Sequence, residues 1–171
     1  MEINLYETIE RYFNDSSLVK EGKPKLALIM GSTGAGKTTF RKLKYSTGYV
    51  LIDAGDIFKI ICGGNDLEYK FGVDFVDVLE IIGEEIANRA VNENRNIVME
   101  ILGDNLETTK MIIDSISACG YEVQLEFIDL DPVEAYQRHL KGALEFLSCY
   151  FSEPYHIKWL TNSAKARLTL E

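Results

Sequence analysis

The chain contains little cysteine and histidine. Its 171 residues include three cysteines, Cys62, Cys119 and Cys149, and two histidines, and no Cys-x-x-Cys pair occurs. Neither a disulfide framework nor a zinc site is therefore indicated. Each cysteine is expected to be a small buried hydrophobic residue, which is the usual fate of an unpaired thiol.

Long apolar runs are also missing. No stretch reaches the roughly 18 consecutive apolar residues that a membrane-spanning helix needs. The N-terminal stretch MEINLYETIERYF is acidic and amphipathic, unlike a secretory signal with its basic start and apolar centre. These features predict a cytoplasmic protein that does not insert into a membrane.

Basic residues are outnumbered by acidic ones. The chain has 18 Lys and Arg against 27 Asp and Glu, which gives a formal net charge of -9. Such a surface repels phosphate backbones and argues against broad nucleic-acid binding. The apolar content of 46% and the charged content of 26% are typical of a globular protein. The length fits one domain spanning residues 1–171.

Apolar runs and helical periodicities alternate along the chain. Strands are predicted at residues 25–30, 49–53, 96–101 and 121–129, and the short RLTL segment near the C-terminus is the candidate for a fifth. Segments whose apolar residues have helical spacing lie between the second and third strands and between the third and fourth strands. The alternation predicts an α/β fold, a three-layer sandwich with a parallel sheet of four to five strands flanked by helices.

This pattern also divides the domain into regions. An N-terminal helix is predicted within residues 1–15, the core within 24–140, and a helical lid and C-terminal region within 132–171. Along the helix between the second and third strands, Phe75, Leu79, Ile82, Ile86 and Ala90 recur on one face, which is expected to pack on the sheet.

The segment GSTGAGKT follows the first predicted strand and precedes a predicted helix, which is the context of a P-loop. The glycines allow backbone N–H groups to point at phosphate oxygens. Lys37 supplies a charge for the β- and γ-phosphates, and the Thr38 hydroxyl is suited to bind Mg²⁺. An ATP site is therefore predicted, with Mg²⁺ at Thr38, over Gly31, Ser32, Thr33, Gly34, Ala35, Gly36, Lys37, Thr38 and Thr39.

ATP is the expected nucleotide because no NKxD-like guanine-reading tetrapeptide follows a later strand. Ligands of parallel sheets gather at the carboxyl ends of the strands. The second strand ends in VLIDAGDIFK, so Asp53 or Asp56 could accept the proton of an acceptor hydroxyl. The third strand ends in IVMEILGD, where Glu100 is costly unless it is paired or faces the site.

Four segments resemble, in order and spacing, the zeta toxin family of P-loop kinases over residues 25–140: GSTGAGKTTFRK, YVLIDAGDIFK, NIVMEILGD and YEVQLEFIDLDPVEAYQRH. The resemblance implies transfer of phosphate from ATP, with Mg²⁺, to a small-molecule hydroxyl, as on UDP-N-acetylglucosamine. It implies that Asp56, in the D-x-F-K motif, is the catalytic base and that Glu100 helps to hold the substrate. Asp53, beside Asp56, is expected to contact the acceptor.

The likeness fades after the fourth strand, where the family places lid arginines. Arg138 is predicted to be the catalytic lid residue and Lys141 a second, substrate-binding cation, because both follow the last strand at a distance suited to capping a phosphate. The resemblance also implies an antitoxin-like protein as a partner.

Two alternative functions stay open at this level. One is a polynucleotide 5′-hydroxyl kinase, since bacteriophage polynucleotide kinase shares the same plan, although the net charge of -9 counts against it. The other is a nucleotide-binding regulatory module without efficient phosphotransfer. The weak match to the lid arginines of the family is the reason to consider it.

Overall fold

A computed structural model describes residues 5–14, 16–61 and 73–144 of the chain. Helices and strands alternate in it as α1 (Leu5–Glu10), β1 (Lys25–Met30), α2 (Lys37–Lys44), β2 (Tyr49–Asp53), α3 (Ala54–Ile61), α4 (Val73–Asn92), β3 (Asn96–Ile101), α5 (Leu106–Ala118), β4 (Glu122–Phe127) and α6 (Pro132–Leu144). The first three strands have the predicted bounds, and β4 is shorter at both ends. The RLTL segment and the end of the predicted lid region lie outside the described residues.

The four strands form one sheet in the order β2-β3-β1-β4, and every neighbouring pair is parallel. This confirms the predicted α/β class with a parallel sheet. The KLALIM run of β1 is almost wholly buried, as expected of an interior strand covered on both faces. Because β3 lies between β2 and β1, Glu100 is on an interior strand, and the register pairs it with Asp53 on one side and Ile29 on the other.

The main hydrophobic core joins the sheet to α3 and α4. Leu79, Ile82, Ile86 and Ala90 of α4 are all buried there, which confirms the predicted apolar face for these four residues. The Phe75 side chain lies outside the described part. A smaller hydrophobic cluster lies on the opposite face of the sheet and consists of Ala27, Ile29, Tyr45 and Val98.

Helix α3 is the element that the sequence pattern did not predict. It begins at Ala54 directly after β2 and buries Ile57, Phe58 and Ile61. The segment AGDIFKII is only two turns long and starts with a glycine-containing stretch, so it resembles the exit loop of a strand. The consequence is that Asp56 lies in the first turn of a helix.

Helix α5 ends and helix α6 begins at residues suited to capping. Gly120, just after α5, has a φ of +89°, a left-handed backbone that favours glycine. Asp131 Oδ1 accepts hydrogen bonds from the N–H groups of Val133 and Glu134, which caps α6. The expectation of buried cysteines is wrong for Cys119, which is exposed because it caps the C-terminal end of α5; Cys62 and Cys149 lie outside the described residues. No helix in the described part of the chain is long and apolar enough to cross a membrane.

Candidate active site

The loop between β1 and α2 has the backbone shape of a phosphate-binding loop. Gly34 and Gly36 have φ angles of +84° and +104°, values that side-chain-bearing residues rarely adopt. A Cβ on Gly34 would lie 2.0 Å from the carbonyl oxygen of Ala135 in α6, so the loop and α6 approach too closely for any side chain. Ser32 and Ala35 are buried within the same loop. Glycine is therefore required here both by the backbone angle and by the packing.

Lys37 lies inside this loop. Its Nζ donates hydrogen bonds to the carbonyl oxygens of Gly31, at 2.8 Å, and Ser32, at 3.1 Å. Burial lowers the pKa of the Lys37 ammonium, while the negative charges of Glu100 and Asp53 oppose this shift. The sequence motif thus places a cation within the curl of backbone that is predicted to receive the phosphates.

Thr38, the predicted magnesium ligand, is in contact with a carboxylate. Its Oγ1 donates a hydrogen bond to Glu100 Oε2 at 2.9 Å, and Arg41 Nε contacts the other oxygen, Oε1, at 2.5 Å. The Glu100 and Arg41 side chains are 4% and 12% exposed, so this is an almost buried ion pair in which both carboxylate oxygens have partners. The structure therefore joins Glu100 to the phosphate side of the site through Thr38.

Arg41 is a further residue of the site, and it was not predicted from the sequence. It follows Thr38 by three positions in α2, a spacing that puts both side chains on the same helix face. That spacing, together with a buried acidic residue at the end of the third strand, is the signal that could have identified it. The predicted role of Glu100 in substrate binding stays a prediction.

Asp53 ends β2 and faces other charged groups. Its Oδ1 accepts a hydrogen bond from the Gly55 N–H at 2.9 Å. Burial, followed by the negative charge of Glu100, raises the pKa of Asp53 to about 6; Asp56 adds to the shift, and the Gly55 N–H and Lys37 oppose it. Asp53 thus lies within electrostatic range of both Lys37 and Asp56, the candidate base.

Asp56 accepts a hydrogen bond from the N-terminal region. The Tyr12 hydroxyl donates to Asp56 Oδ2 at 3.1 Å, across 44 positions of sequence. Burial, followed by the charge of Asp56, strongly raises the pKa of the Tyr12 phenol, so Tyr12 stays a neutral donor. Tyr12 was not among the predicted site residues, and no local pattern could have revealed its contact with Asp56.

Helix α6 lies against the phosphate loop, but the predicted lid residues are on its exposed surface. Ala135 and His139 are the buried residues of this helix beside Gly34. Arg138 Nη2 pairs with Glu134 Oε1 at 2.6 Å, and both side chains are at least half exposed. Lys141 is also exposed. The lid roles of Arg138 and Lys141 stay predictions.

The described residues contain no group of three or more His, Cys, Asp or Glu side chains arranged to hold a metal ion. Mg²⁺ in nucleotide sites, however, takes one or two protein oxygens and completes its shell with phosphates and water. The Thr38 hydroxyl and the Glu100 carboxylate, 2.9 Å apart, supply such hard oxygen donors. This donor set fits Mg²⁺ that arrives with ATP.

A parallel sheet in the order β2-β3-β1-β4 with a phosphate-binding loop after β1 defines the class of P-loop NTPases. The family model of the zeta toxin matches residues 9–145. The chain belongs to the zeta toxin family, which confirms the resemblance found in its motifs. A comparison with curated protein sequences finds no match.

Solved structures show the same fold. A protein of the PezAT chromosomal toxin-antitoxin system of Streptococcus pneumoniae has a TM-score of 0.68 and 21% identity, with 97% of this chain and 70% of that protein covered. A chain of the Pnkp1/Rnl/Hen1 RNA repair complex has a TM-score of 0.69 and 16% identity over 89% of this chain and 48% of the other. A chain of the AvrRxo1-ORF1:-ORF2 complex with ATP has a TM-score of 0.65 and 16% identity, with 97% of this chain and 52% of that chain covered. The chain thus spans about half the length of these last two proteins.

Proposed function

We propose that this protein is an ATP-dependent phosphotransferase that moves the γ-phosphoryl group of ATP to a hydroxyl of a small molecule. Membership of the zeta toxin family supports a P-loop phosphotransferase in general. The observation that carries the proposal is the position of Asp53, which interacts electrostatically with Lys37 and with Asp56. This supports the proposal that the predicted phosphate-binding cation and the candidate base belong to one site.

Each side chain has a role in this reaction. Lys37 and the loop N–H groups bind the β- and γ-phosphates, and Asp56 takes the proton of the acceptor hydroxyl. The acceptor oxygen forms a bond to the γ-phosphorus as the bond to the ADP oxygen breaks. Thr38 and Glu100 would hold Mg²⁺, which neutralises phosphate charge when it is bound. Arg41 holds Glu100 in an ion pair that orients it toward Thr38.

A nucleotide-sugar of the UDP-N-acetylglucosamine type is the proposed acceptor, by analogy with the family. Arg138 and Lys141 are proposed to reach the transferring phosphate from α6, with Asp53 contacting the acceptor. The similarity to a protein of a toxin-antitoxin system supports an antitoxin-like protein as a proposed partner. The cytoplasm is the proposed location, because ATP and nucleotide-sugars are available there.

A polynucleotide 5′-hydroxyl kinase is the second candidate. The similarity to a chain of an RNA repair complex favours it, whereas the net charge of -9 opposes it. A nucleotide-binding module without efficient transfer is the third, and the exposed position of Arg138 is the observation in its favour.

The test is a phosphotransfer assay with labelled ATP and Mg²⁺ against nucleotide-sugars, nucleosides and 5′-hydroxyl oligonucleotides. Transfer to an acceptor is expected for the wild type and is expected to be lost in Lys37→Ala and Asp56→Asn. Matched controls are Lys42→Ala and Asp114→Asn, which change exposed residues of α2 and α5. Label moving only to water, or not moving while ATP still binds, would overturn the proposal and favour the binding module.

A further inference from the structure

The N-terminal region contributes a side chain to the candidate active site. Tyr12 lies just after α1, and its ring is part of the main core, with 8% of the residue exposed. Its hydroxyl reaches out of that core to Asp56 Oδ2. We propose that Tyr12 is a positioning residue for phosphotransfer, whose hydroxyl fixes the rotation of the Asp56 carboxylate. This inference rests on the proposed function and on the role of Asp56 as its base.

A carboxylate needs such support because rotation about its last bond is only weakly restricted. Proton transfer requires the accepting oxygen to be within about 2.6–3.2 Å of the acceptor hydroxyl. A hydrogen bond to Oδ2 fixes the plane of the carboxylate and directs Oδ1 as the proton acceptor. Tyr12 therefore acts on the reaction through Asp56 and need not touch the substrate.

The hydroxyl is suited to this task because it stays protonated. Burial and the nearby charges of Asp56 and Asp53 all disfavour the phenolate and raise the pKa of Tyr12. At neutral pH Tyr12 is thus a donor and does not compete with Asp56 for the acceptor proton.

The chain around Tyr12 is firmly attached to the rest of the domain. The guanidinium of Arg89 lies 4.2 Å from the centre of the Phe13 ring and forms an ion pair with Glu10 at 2.6 Å. Arg95 Nη1 donates to the carbonyl oxygen of Ser16 at 2.8 Å. These contacts fix the chain on both sides of Tyr12, so the position of its hydroxyl is set by the fold of the domain.

The experiment compares Tyr12→Phe with Tyr121→Phe. Tyr121 is equally buried, and its hydroxyl donates to the backbone oxygens of Ala90 and Arg95, away from Asp56. For Tyr12→Phe we expect kcat to fall about tenfold or more, with KM for ATP and acceptor within about twofold of wild type. For Tyr121→Phe we expect kcat within about twofold and a lower melting temperature.

Melting temperature and ATP binding establish that each variant is folded. Tyr12→His is the second variant. Histidine keeps an aromatic ring, but its side chain is shorter than that of tyrosine, so its N–H groups do not reach Asp56. The same fall in kcat is expected. An unchanged kcat in both variants overturns the inference. A faster Tyr12→Phe enzyme also overturns it, because the hydroxyl would then be obstructing the acceptor.

The failure of the proposed function has a different signature. A wild type that transfers no phosphate to any acceptor overturns the proposed function, and the positioning role of Tyr12 with it. An active wild type whose Tyr12 variants keep full kcat overturns only the positioning role.

Discussion

The phosphate side and the acceptor side of the candidate site are built in different ways. The phosphate side is one continuous stretch, the loop and α2, with Glu100 added from the neighbouring strand. The acceptor side combines Asp53 from the end of β2, Asp56 from α3 and Tyr12 from the N-terminal region. Phosphate recognition depends on backbone shape, which a local motif encodes, whereas the placement of a base depends on how distant segments pack.

The two sides also differ in charge balance. On the phosphate side, Glu100 is neutralised by Arg41 in an almost buried pair. On the acceptor side, Asp53 is disfavoured as a carboxylate first by its burial and then by the charges of Glu100 and Asp56, which Lys37 only partly offsets. The acceptor side therefore carries unfavourable electrostatic energy in the folded state, and the following experiments test this contrast.

The largest effect is expected for Gly34→Ala, which tests whether the phosphate side depends on backbone shape. A Cβ at this position would lie 2.0 Å from the Ala135 carbonyl oxygen, and φ is +84°. We expect the free energy of unfolding to fall by about 4 kcal/mol or more, because left-handed strain and a backbone clash add together. Urea unfolding and ATP binding measure the effect.

The control for this prediction is Gly22→Ala. Gly22 has nearly the same φ, +82°, but a Cβ there would meet nothing within 4 Å. A loss of only about 1 kcal/mol is expected from the backbone angle alone. Equal losses in the two variants would show that the close approach of α6 to the loop contributes nothing.

The next effect concerns Glu100, which connects the phosphate side to the sheet. Glu100→Gln leaves Arg41 almost buried without its charged partner, so the free energy of unfolding is expected to fall by about 3 kcal/mol. The Mg²⁺ concentration needed for activity is expected to rise, because a carboxylate beside Thr38 is lost. Denaturant unfolding and a Mg²⁺ titration of activity measure the two effects.

Glu126→Gln is the matched control for the buried pair. Glu126 pairs with Lys44 at 2.5 Å, but Lys44 is 52% exposed, so a loss of no more than about 1 kcal/mol is expected. If Glu100→Gln costs no more than Glu126→Gln, the pair with Arg41 is not the structural support inferred for the phosphate side.

The sequence predicted the strands and the loop of the phosphate side because their signals are local. The alternation of strands and helices predicted the parallel sheet, and the bounds of β1, β2 and β3 agree with the structure. The P-loop motif requires only that a strand, a glycine-rich turn and a helix follow one another. Lys37 accordingly lies inside the loop that the motif predicted.

The acceptor side was predicted less completely, for a physical reason. Asp53 and Asp56 were recognised as candidates from their place at a strand end, but helix α3, which carries Asp56, was not. The hydrogen bond from Tyr12 to Asp56 spans 44 positions and depends on the packing of α1 on α3 and α4. Contacts of this kind have no periodicity or motif in a single sequence.

An effect of opposite sign is expected from Asp53→Asn, which tests whether burial and the neighbouring carboxylates disfavour the charged form of Asp53. The pKa of Asp53 is raised from 3.8 to about 6, so the folded state binds this proton more tightly than the unfolded chain. Stability contributed by this group is present at low pH and is lost as the pH rises through about 6. The variant is therefore expected to be more stable than wild type by about 3 kcal/mol at pH 8.

The measurement is urea unfolding of both proteins between pH 4 and pH 8. The difference in the free energy of unfolding between the two proteins is expected to shrink toward acid pH, because the Asp53 carboxyl of the wild type becomes protonated. Asp114→Asn, on the exposed surface of α5, is the control and should show no such pH-dependent gap. Parallel curves of unfolding free energy against pH for Asp53→Asn and wild type would mean that the folded state does not disfavour the charged form of Asp53.

The smallest effect is expected at Arg138, which decides whether α6 belongs to the phosphate side at all. Arg138 is exposed and pairs with Glu134, so Arg138→Gln should leave the melting temperature nearly unchanged. If Arg138 is a lid residue, its charge stabilises the transferring phosphoryl group, so Arg138→Gln should nevertheless lower kcat about tenfold. Glu134→Gln breaks the same pair but keeps the guanidinium, so its kcat should not fall. If both variants keep the wild-type kcat, Arg138 is a surface residue, and the contribution of α6 to the phosphate side is limited to packing against Gly34.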